Sequence, residues 1–102
     1  MKQAGGISEE LRDERLNQKL QKAYELKRAE KYQEALEQYS SVLDDEFLKD
    51  AKIDKHIYML YNAHKNIGEV FEKIQDFHFA KIHYTHVSII VRSPKLNINL
   101  GA

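Results

Sequence analysis

The chain has 102 residues, of which 42% are hydrophobic and 31% are charged, and its 16 Lys and Arg equal its 16 Asp and Glu in number. This size and composition fit one small globular domain with a single core, not a disordered chain. The zero net charge argues against general attraction to nucleic acid or anionic lipid. The absence of Cys excludes disulfides, thiolate metal sites and a Cys nucleophile.

Hydrophobic residues recur at steps of three and four, a spacing typical of amphipathic helices. After a predicted flexible N-terminus at residues 1–8, the first such stretch runs over residues 9–29 and the second over residues 31–45. Only Glu30 and Lys31 interrupt the pattern between them. We therefore expect these two helices to double back as an antiparallel hairpin.

A second hairpin is predicted farther along the chain. Its first helix covers residues 53–74 and its second covers residues 77–91, with the short break Gln75-Asp76 between them. The last helix ends before Pro94, because the residue that precedes a proline avoids the α region. The third and fourth predicted helices therefore also form an antiparallel pair.

These elements predict an all-α fold of two antiparallel helical hairpins, at residues 9–45 and 53–92, stacked as a short right-handed solenoid segment. A charged spacer at residues 44–54 joins the hairpins, and a C-terminal tail covers residues 93–102. The longest apolar run, residues 57–61, is too short to cross a membrane, and the N-terminus lacks the apolar core of a secretory signal. We therefore expect an intracellular protein with no membrane association.

The two hairpins repeat each other at the interval that separates Ala35 from Ala80, which is 80 − 35 = 45 residues. Within the second hairpin, Gly68, Phe71, Ala80 and Tyr84 follow the order of the tetratricopeptide (TPR) pattern. Small residues at such positions let two helices approach closely, and the aromatics fill the gaps. The usual TPR interval is about 34 residues, so the additional length falls on the spacer, which either lengthens the second or third helix or forms a loop.

The five His residues of the chain raise the question of a metal site. His83 and His86 share one side of a helix, and His78 lies about a turn earlier. No acidic residue follows Asp76, and we interpret these His as residues of the helix surface. His64 is interpreted as a packed or hydrogen-bonded residue at the edge of the core. We therefore predict no metal and no other cofactor.

The sequence also gives little support for catalysis. No Ser lies in a Gly-x-Ser-x-Gly motif, and there is no Gly-rich phosphate loop. The carboxylates at Asp44, Asp45 and Glu46 are adjacent along the chain, so on a helix they would point in different directions. We expect a protein that is not an enzyme.

Charge is unevenly distributed along the chain. Residues 32–55 contain seven acids and three bases, whereas residues 77–102 contain Lys81, Arg92 and Lys95, three His and no acid. The acidic segment suits a basic partner such as a histone tail, and the basic segment suits an acidic partner. The alternative is that both segments are solvated helix faces.

TPR hairpins bind partners in a concave groove lined by the first helix of each pair. By the repeat register, the predicted partner contacts are Tyr24, Lys27, Arg28, Asn62, Lys65, Asn66 and Lys73. A clamp for the acidic tail of a heat-shock chaperone is disfavoured, since the first repeat has Leu20 and Tyr24 where that clamp requires Lys and Asn.

Two stretches carry a closer resemblance. Residues 22–26, 30–34 and 39–43 resemble the first repeat of the calcineurin-binding Cabin family. Lys65-Asn66-Ile67, followed by Asp76-Phe77, Ala80, Tyr84 and Val87, is similar to that family's next hairpin. A charged insertion separates the two hairpins in that family as well. The resemblance covers about residues 16–92, and most of its motifs are general TPR packing positions.

The resemblance implies a nuclear scaffold of the HIR histone-chaperone complex, which deposits histones H3–H4 independently of replication. Its partners would be HIR-complex subunits or histones, with no direct contact to nucleic acid. Members of the family are much longer, so we expect a fragment, an isoform or a self-associating piece, with Ile82, Ile89 and Ile90 uncovered on the fourth predicted helix. The alternative is a cytoplasmic TPR adaptor, or a solenoid cap that self-associates through that helix and has no groove ligand.

Overall fold

A computed structural model describes residues 2–49 and 51–92, with side chains from residue 9 onward. Its helices are α1 (Lys2–Arg28), α2 (Tyr32–Leu43), α3 (Glu46–Lys49), α4 (Asp54–Lys73) and α5 (Phe77–Val91). The described residues contain no strand, which confirms the all-α prediction. The predicted C-terminal tail, residues 93–102, lies outside the described part of the chain.

Two helix boundaries differ from the prediction. α1 begins at Lys2, not at residue 9, and so includes the segment that was expected to be a flexible terminus. Residues 2–8 contain no proline, and extending an existing helix costs far less than nucleating one, even with glycines that cost about 1 kcal/mol each. α2 ends at Leu43, two residues early, because the Asp45 carboxylate accepts a hydrogen bond from the Phe47 backbone N–H (2.8 Å) and so begins another helix.

The charged spacer contains a helix that the sequence pattern did not indicate. Within α3, Leu48 is completely buried. Its neighbour Phe47 lies between the Arg12 guanidinium, 4.8 Å from the ring centroid, and the His56 ring, whose centroid is 4.7 Å away. The spacer therefore contributes to the core instead of forming an open loop.

Both hairpins turn in the same way. Glu30 and Gln75, which are 45 residues apart, have positive φ angles of 63° and 66°. In each turn, the next backbone N–H donates to the carbonyl oxygen five residues before it, at 2.9 and 2.8 Å. This left-handed cap satisfies carbonyls at the end of a helix and usually uses Gly or Asn. The internal repeat is therefore present in the backbone as well as in the sequence.

The main core lies where α1, α2 and α4 meet. α1 packs against α2, and α4 packs against α5 and also against both helices of the first hairpin, whereas α5 contacts α4 alone among the described helices. The buried cluster comprises Leu16, Leu20, Ala23, Tyr39, Val42, Leu48, Met59, Ala63 and Ile67. Each large apolar side chain in it contributes about 1.5–3 kcal/mol through burial. α4 is thus the central helix of the fold.

The approach of α4 to α5 depends on Gly68. A Cβ atom at this position would lie 2.7 Å from Cε1 of Tyr84, closer than carbon atoms pack. Ala80 on α5 is also buried. None of the described helices combines the length and the apolarity that crossing a membrane requires.

Candidate functional site

A groove with a volume of about 1010 Å³ lies between α1 and α4. Its walls come from one face of α1 and from the first half of α4. The lining residues are Asp13, Asn17, Leu20, Gln21, Tyr24, Asp54, Lys55, Tyr58, Met59 and Asn62. We call this the α1–α4 groove.

Aromatic rings and amides dominate the middle of the α1–α4 groove. Tyr24 and Tyr58 are 43% and 49% exposed, so their rings are available to a ligand. Asn17, Gln21 and Asn62 each provide an amide that can donate and accept hydrogen bonds. Asn17 and Asn62 are 45 residues apart and so occupy equivalent positions in the two hairpins. This combination can hydrogen-bond a peptide backbone and hold an apolar side chain beside it.

A cluster of the buried Asp13 and His56 with the exposed Lys55 closes one end of the groove. The Asp13 carboxylate accepts from Lys55 Nζ at 2.6 Å and lies 2.7 Å from His56 Nε2. Burial acts to raise the pKa of Asp13, but the hydrogen bonds from Lys55 and His56 outweigh it and hold that pKa below its usual value. The cluster joins α1 to the first turn of α4, so it fixes the width of the groove at that end.

A second polar cluster lies toward the other end of α4. Lys27 Nζ donates to Asn66 Oδ1 at 2.7 Å and forms an ion pair with Glu69. The Asn66 amide donates in turn to the Asn62 carbonyl oxygen at 2.8 Å. Lys27 Nζ also lies 5.6 Å from the centroid of the Tyr24 ring. These contacts hold α1 and α4 together beside the groove.

The residues predicted to contact a partner divide into three groups. Tyr24 and Asn62 line the α1–α4 groove, and Lys27 and Asn66 are joined to each other between the helices. Lys65 is exposed, with its Nζ 3.9 Å from Glu69 Oε2. The other two, Arg28 and Lys73, are exposed in the last turns of α1 and α4, where they complement the helix dipole.

The sequence prediction missed several groove residues, namely Asp13, Gln21, Asp54, Lys55, Tyr58 and Met59. Asp13 and Tyr58 are 45 residues apart and so occupy equivalent positions in the two hairpins. This interval could have indicated that the two residues lie on the same surface. The involvement of the first turn of α4 had no such signal, since it depends on how the spacer folds.

Three histidines meet between α4 and α5. The Nδ1 atoms of His64 and His83 are 3.0 Å apart, so one ring donates to the other, and the His86 ring stacks on His64 at 4.5 Å between centroids. Burial, followed by the charges of His86 and His83, lowers the pKa of His64 to about 4. His78 lies instead against Phe79. In the part of the chain that is described, no three His, Asp or Glu side chains are arranged to hold a metal ion.

The equivalent tyrosines of the two hairpins have different hydroxyl environments. Tyr84 donates to Glu72 Oε1 at 2.8 Å, whereas the buried Tyr39 hydroxyl has no partner among the described residues. The position equivalent to Glu72 is Lys27, which cannot accept a hydrogen bond. Burial, and then the nearby Glu69 charge, raise the pKa of Tyr39 well above its usual value.

No protein-family model, curated protein or solved structure matches this chain. Its function is therefore inferred from its own residues and their geometry.

Proposed function

We propose that this chain is a TPR-like protein–protein interaction module that binds a segment of a partner protein in the α1–α4 groove. The observation that carries the proposal is the groove itself, a concave site of about 1010 Å³ with two exposed tyrosines and three amides on its walls. Concave sites with apolar walls and a few polar groups that set orientation are typical binding sites.

The repeated backbone supports the TPR-like part of the proposal. The turns at Glu30 and Gln75 have the same conformation at the 45-residue interval, and α4 packs against both helices of the first hairpin. Stacked helical repeats make contacts of this nearest-neighbour kind and create an extended concave surface. We infer that α1 and α4 are the groove-lining helices of two stacked hairpins.

We propose binding, not catalysis, because the buried carboxylate of the groove is already paired. Asp13 is held by Lys55 and His56, and its carboxylate is therefore not free to accept a proton from a substrate. The amides and tyrosine rings suit recognition of a protein segment, and we propose no direct binding to nucleic acid or membrane.

For the partner, we propose a subunit of a nuclear histone-chaperone complex of the HIR type, or histones H3–H4. The support is the resemblance of residues 16–92 to the Cabin family. In this proposal the chain acts in the nucleus, as the first hairpins of a scaffold for replication-independent nucleosome assembly. The alternative compartment is the cytoplasm, where the same groove would serve a TPR adaptor.

The test is an affinity pull-down with the full chain as bait, from nuclear and from cytosolic extract. The groove variant combines Tyr24→Ala with Tyr58→Ala, and the control is Lys31→Ala, an exposed residue outside the groove lining and outside the predicted partner contacts. Removing two central aromatics typically costs about 2 kcal/mol or more, so we expect partner recovery to fall by at least about tenfold, with the control unchanged. Circular dichroism checks that all variants remain helical.

Each part of the proposal has its own outcome. If the double tyrosine variant recovers the same partners at the same yield as the wild type, the groove is not the binding site. If the wild type recovers cytosolic proteins that the variant loses, and neither HIR subunits nor H3–H4, the binding module stands and the nuclear assignment is wrong.

A further inference from the structure

No other described helix covers the outer face of α5, which exposes large apolar side chains. Phe77 and Ile89 are each 62% exposed, and Ile82 is 39% exposed. A shallow groove of about 460 Å³ runs along this face, with Ala80 and Tyr84 at its floor. We call it the α5 face. It lies away from the α1–α4 groove, with which it shares no lining residue.

The equivalent helix of the first hairpin shows how such a face can be covered. This helix, α2, is packed against both α1 and α4, and its Tyr39 and Val42 are completely buried. Their equivalents on α5, Tyr84 and Val87, remain partly exposed. The α5 face therefore belongs to a helix whose equivalent in this chain, α2, is covered by a second helix, with Lys81 and Ser88 in place of the Leu36 and Leu43 of α2.

The charges on the α5 face select the kind of helix. Lys81 and Arg92 flank the apolar residues, and none of residues 77–92 is acidic. Glu72, the acidic residue in the described lining of this face, already accepts the Tyr84 hydroxyl at 2.8 Å. Lys81 and Arg92 are 92 − 81 = 11 residues apart, which is about 16 Å along a helix. A complementary helix would present acidic side chains at about that separation.

We propose that the α5 face docks an amphipathic α-helix of another protein, whose apolar stripe is flanked by acidic side chains about 11 residues apart. This surface is additional to the α1–α4 groove, and it does not depend on what the groove binds.

A second copy of this chain fits the α5 face poorly. α4 covers α2 with one of its faces. At the equivalent positions, α1 carries Glu14, Gln18 and Lys22, which are all exposed. This face of α1 therefore offers no apolar stripe for head-to-tail stacking. If two α5 faces packed together, Lys81 and Arg92 of one copy would lie near the same cations of the other copy. Because α5 has no acidic residue, this repulsion would be unfavourable.

The test uses peptides with the 20-residue sequence of α4, since the apolar stripe of α4 is the one that covers α2. The acidic peptide carries Lys55→Glu, Lys65→Glu and Lys73→Glu, and the matched basic peptide has its three acidic residues changed to Lys instead. Both are titrated against the full chain at low salt by calorimetry or fluorescence anisotropy. Sedimentation of the full chain alone reports its oligomeric state.

We expect the acidic peptide to bind at least about tenfold tighter than the basic one, because Lys81 and Arg92 attract the acidic peptide and repel the basic one. Ile89→Asp in the full chain should abolish binding, and Lys81→Glu with Arg92→Glu should reverse the preference. Tyr24→Ala, a groove substitution, should leave peptide binding unchanged, which separates this proposal from the proposed function.

Three results would overturn the proposal. One is equal affinity for the two peptides, or no binding of either. Another is binding that survives Ile89→Asp, which would place the peptide elsewhere. The third is a dimer of the wild-type chain that Ile89→Asp dissociates, since a second copy would then occupy the α5 face.

Discussion

Acid should destabilise the fold through His64. In the folded chain its pKa is about 4, against 6.5 for a free histidine, because the ring is buried beside two other imidazoles. The unfolded chain therefore takes up a proton on His64 as the pH falls below 6.5, whereas the folded chain does so only near pH 4. Stability is complete above about pH 6.5, falls between about pH 6.5 and pH 4, and stays reduced below that.

The size of this effect follows from the difference in pKa. A difference of 6.5 − 4 = 2.5 units corresponds to about 3.4 kcal/mol if the ring is fully shielded. The His64 side chain is only partly buried, and solvent screens its neighbours, so we expect a total of about 2 kcal/mol. About 1 kcal/mol of this should already be lost at about pH 5.

The assay is urea unfolding of the wild type and of His64→Phe at about pH 7.5 and about pH 5. Phe retains the stacking on His86 but cannot take up a proton, and it leaves His83 without a hydrogen-bond partner. The variant should therefore be about 1 kcal/mol less stable at the higher pH, yet lose less than half as much on acidification as the wild type. His83 supplies the remainder, since burial lowers its pKa as well.

The exposed His78 provides the control, and His78→Gln should lose as much stability on acidification as the wild type. If His64→Phe and the wild type lose equal free energy of unfolding between the two pH values, His64 is not held neutral by burial and the reasoning is wrong.

Three further predictions concern packing and backbone, each measured by urea unfolding at neutral pH. Tyr39→Phe should leave stability unchanged or raise it by about 1 kcal/mol, because it removes an unpaired buried hydroxyl, whereas Tyr84→Phe should cost about 0.5–1 kcal/mol; equal losses would contradict this. Gly68→Ala should cost about 1 kcal/mol net, since the clash with Tyr84 exceeds the gain in helix propensity, and in a Tyr84→Ala background it should become stabilising. Gln75→Gly should stabilise by about 0.5–1 kcal/mol by relieving its positive φ, and a loss of stability would refute that.

Helix positions were the most predictable part of the fold. The apolar period alone places α4 and α5 within one residue of their observed bounds, because each has a continuous buried stripe. α3 was not predictable in this way, since four residues cannot display a helical period. Its formation depends on the burial of Leu48 and the packing of Phe47, which are tertiary contacts. The two turns were predicted at their observed positions, but their left-handed conformation had no signal, because Glu30 and Gln75 are unusual residues there.

The groove was only partly predictable. The repeat register indicates which residues of the two hairpins share a surface, and of the residues predicted from it Tyr24 and Asn62 line the α1–α4 groove. It does not give the offset between two helices, and this offset determines that Lys27 meets Asn66 between them. For the same reason the position of Asp13 opposite Lys55 could not be deduced, since it requires the path of the folded spacer.

Because α5 contacts α4 alone among the described helices, the chain should open in a definite order under native conditions. Backbone amides of α5 should exchange with solvent at a lower free-energy cost than those of α4, which is packed on four helices. Opening of α5 leaves the walls of the α1–α4 groove in place. A groove ligand should therefore slow exchange in α1 and α4 but not in α5, whereas a helix bound to the α5 face should slow it in α5 first. The first hairpin and α5 would then open as separate cooperative units, and both would contact the same helix, α4.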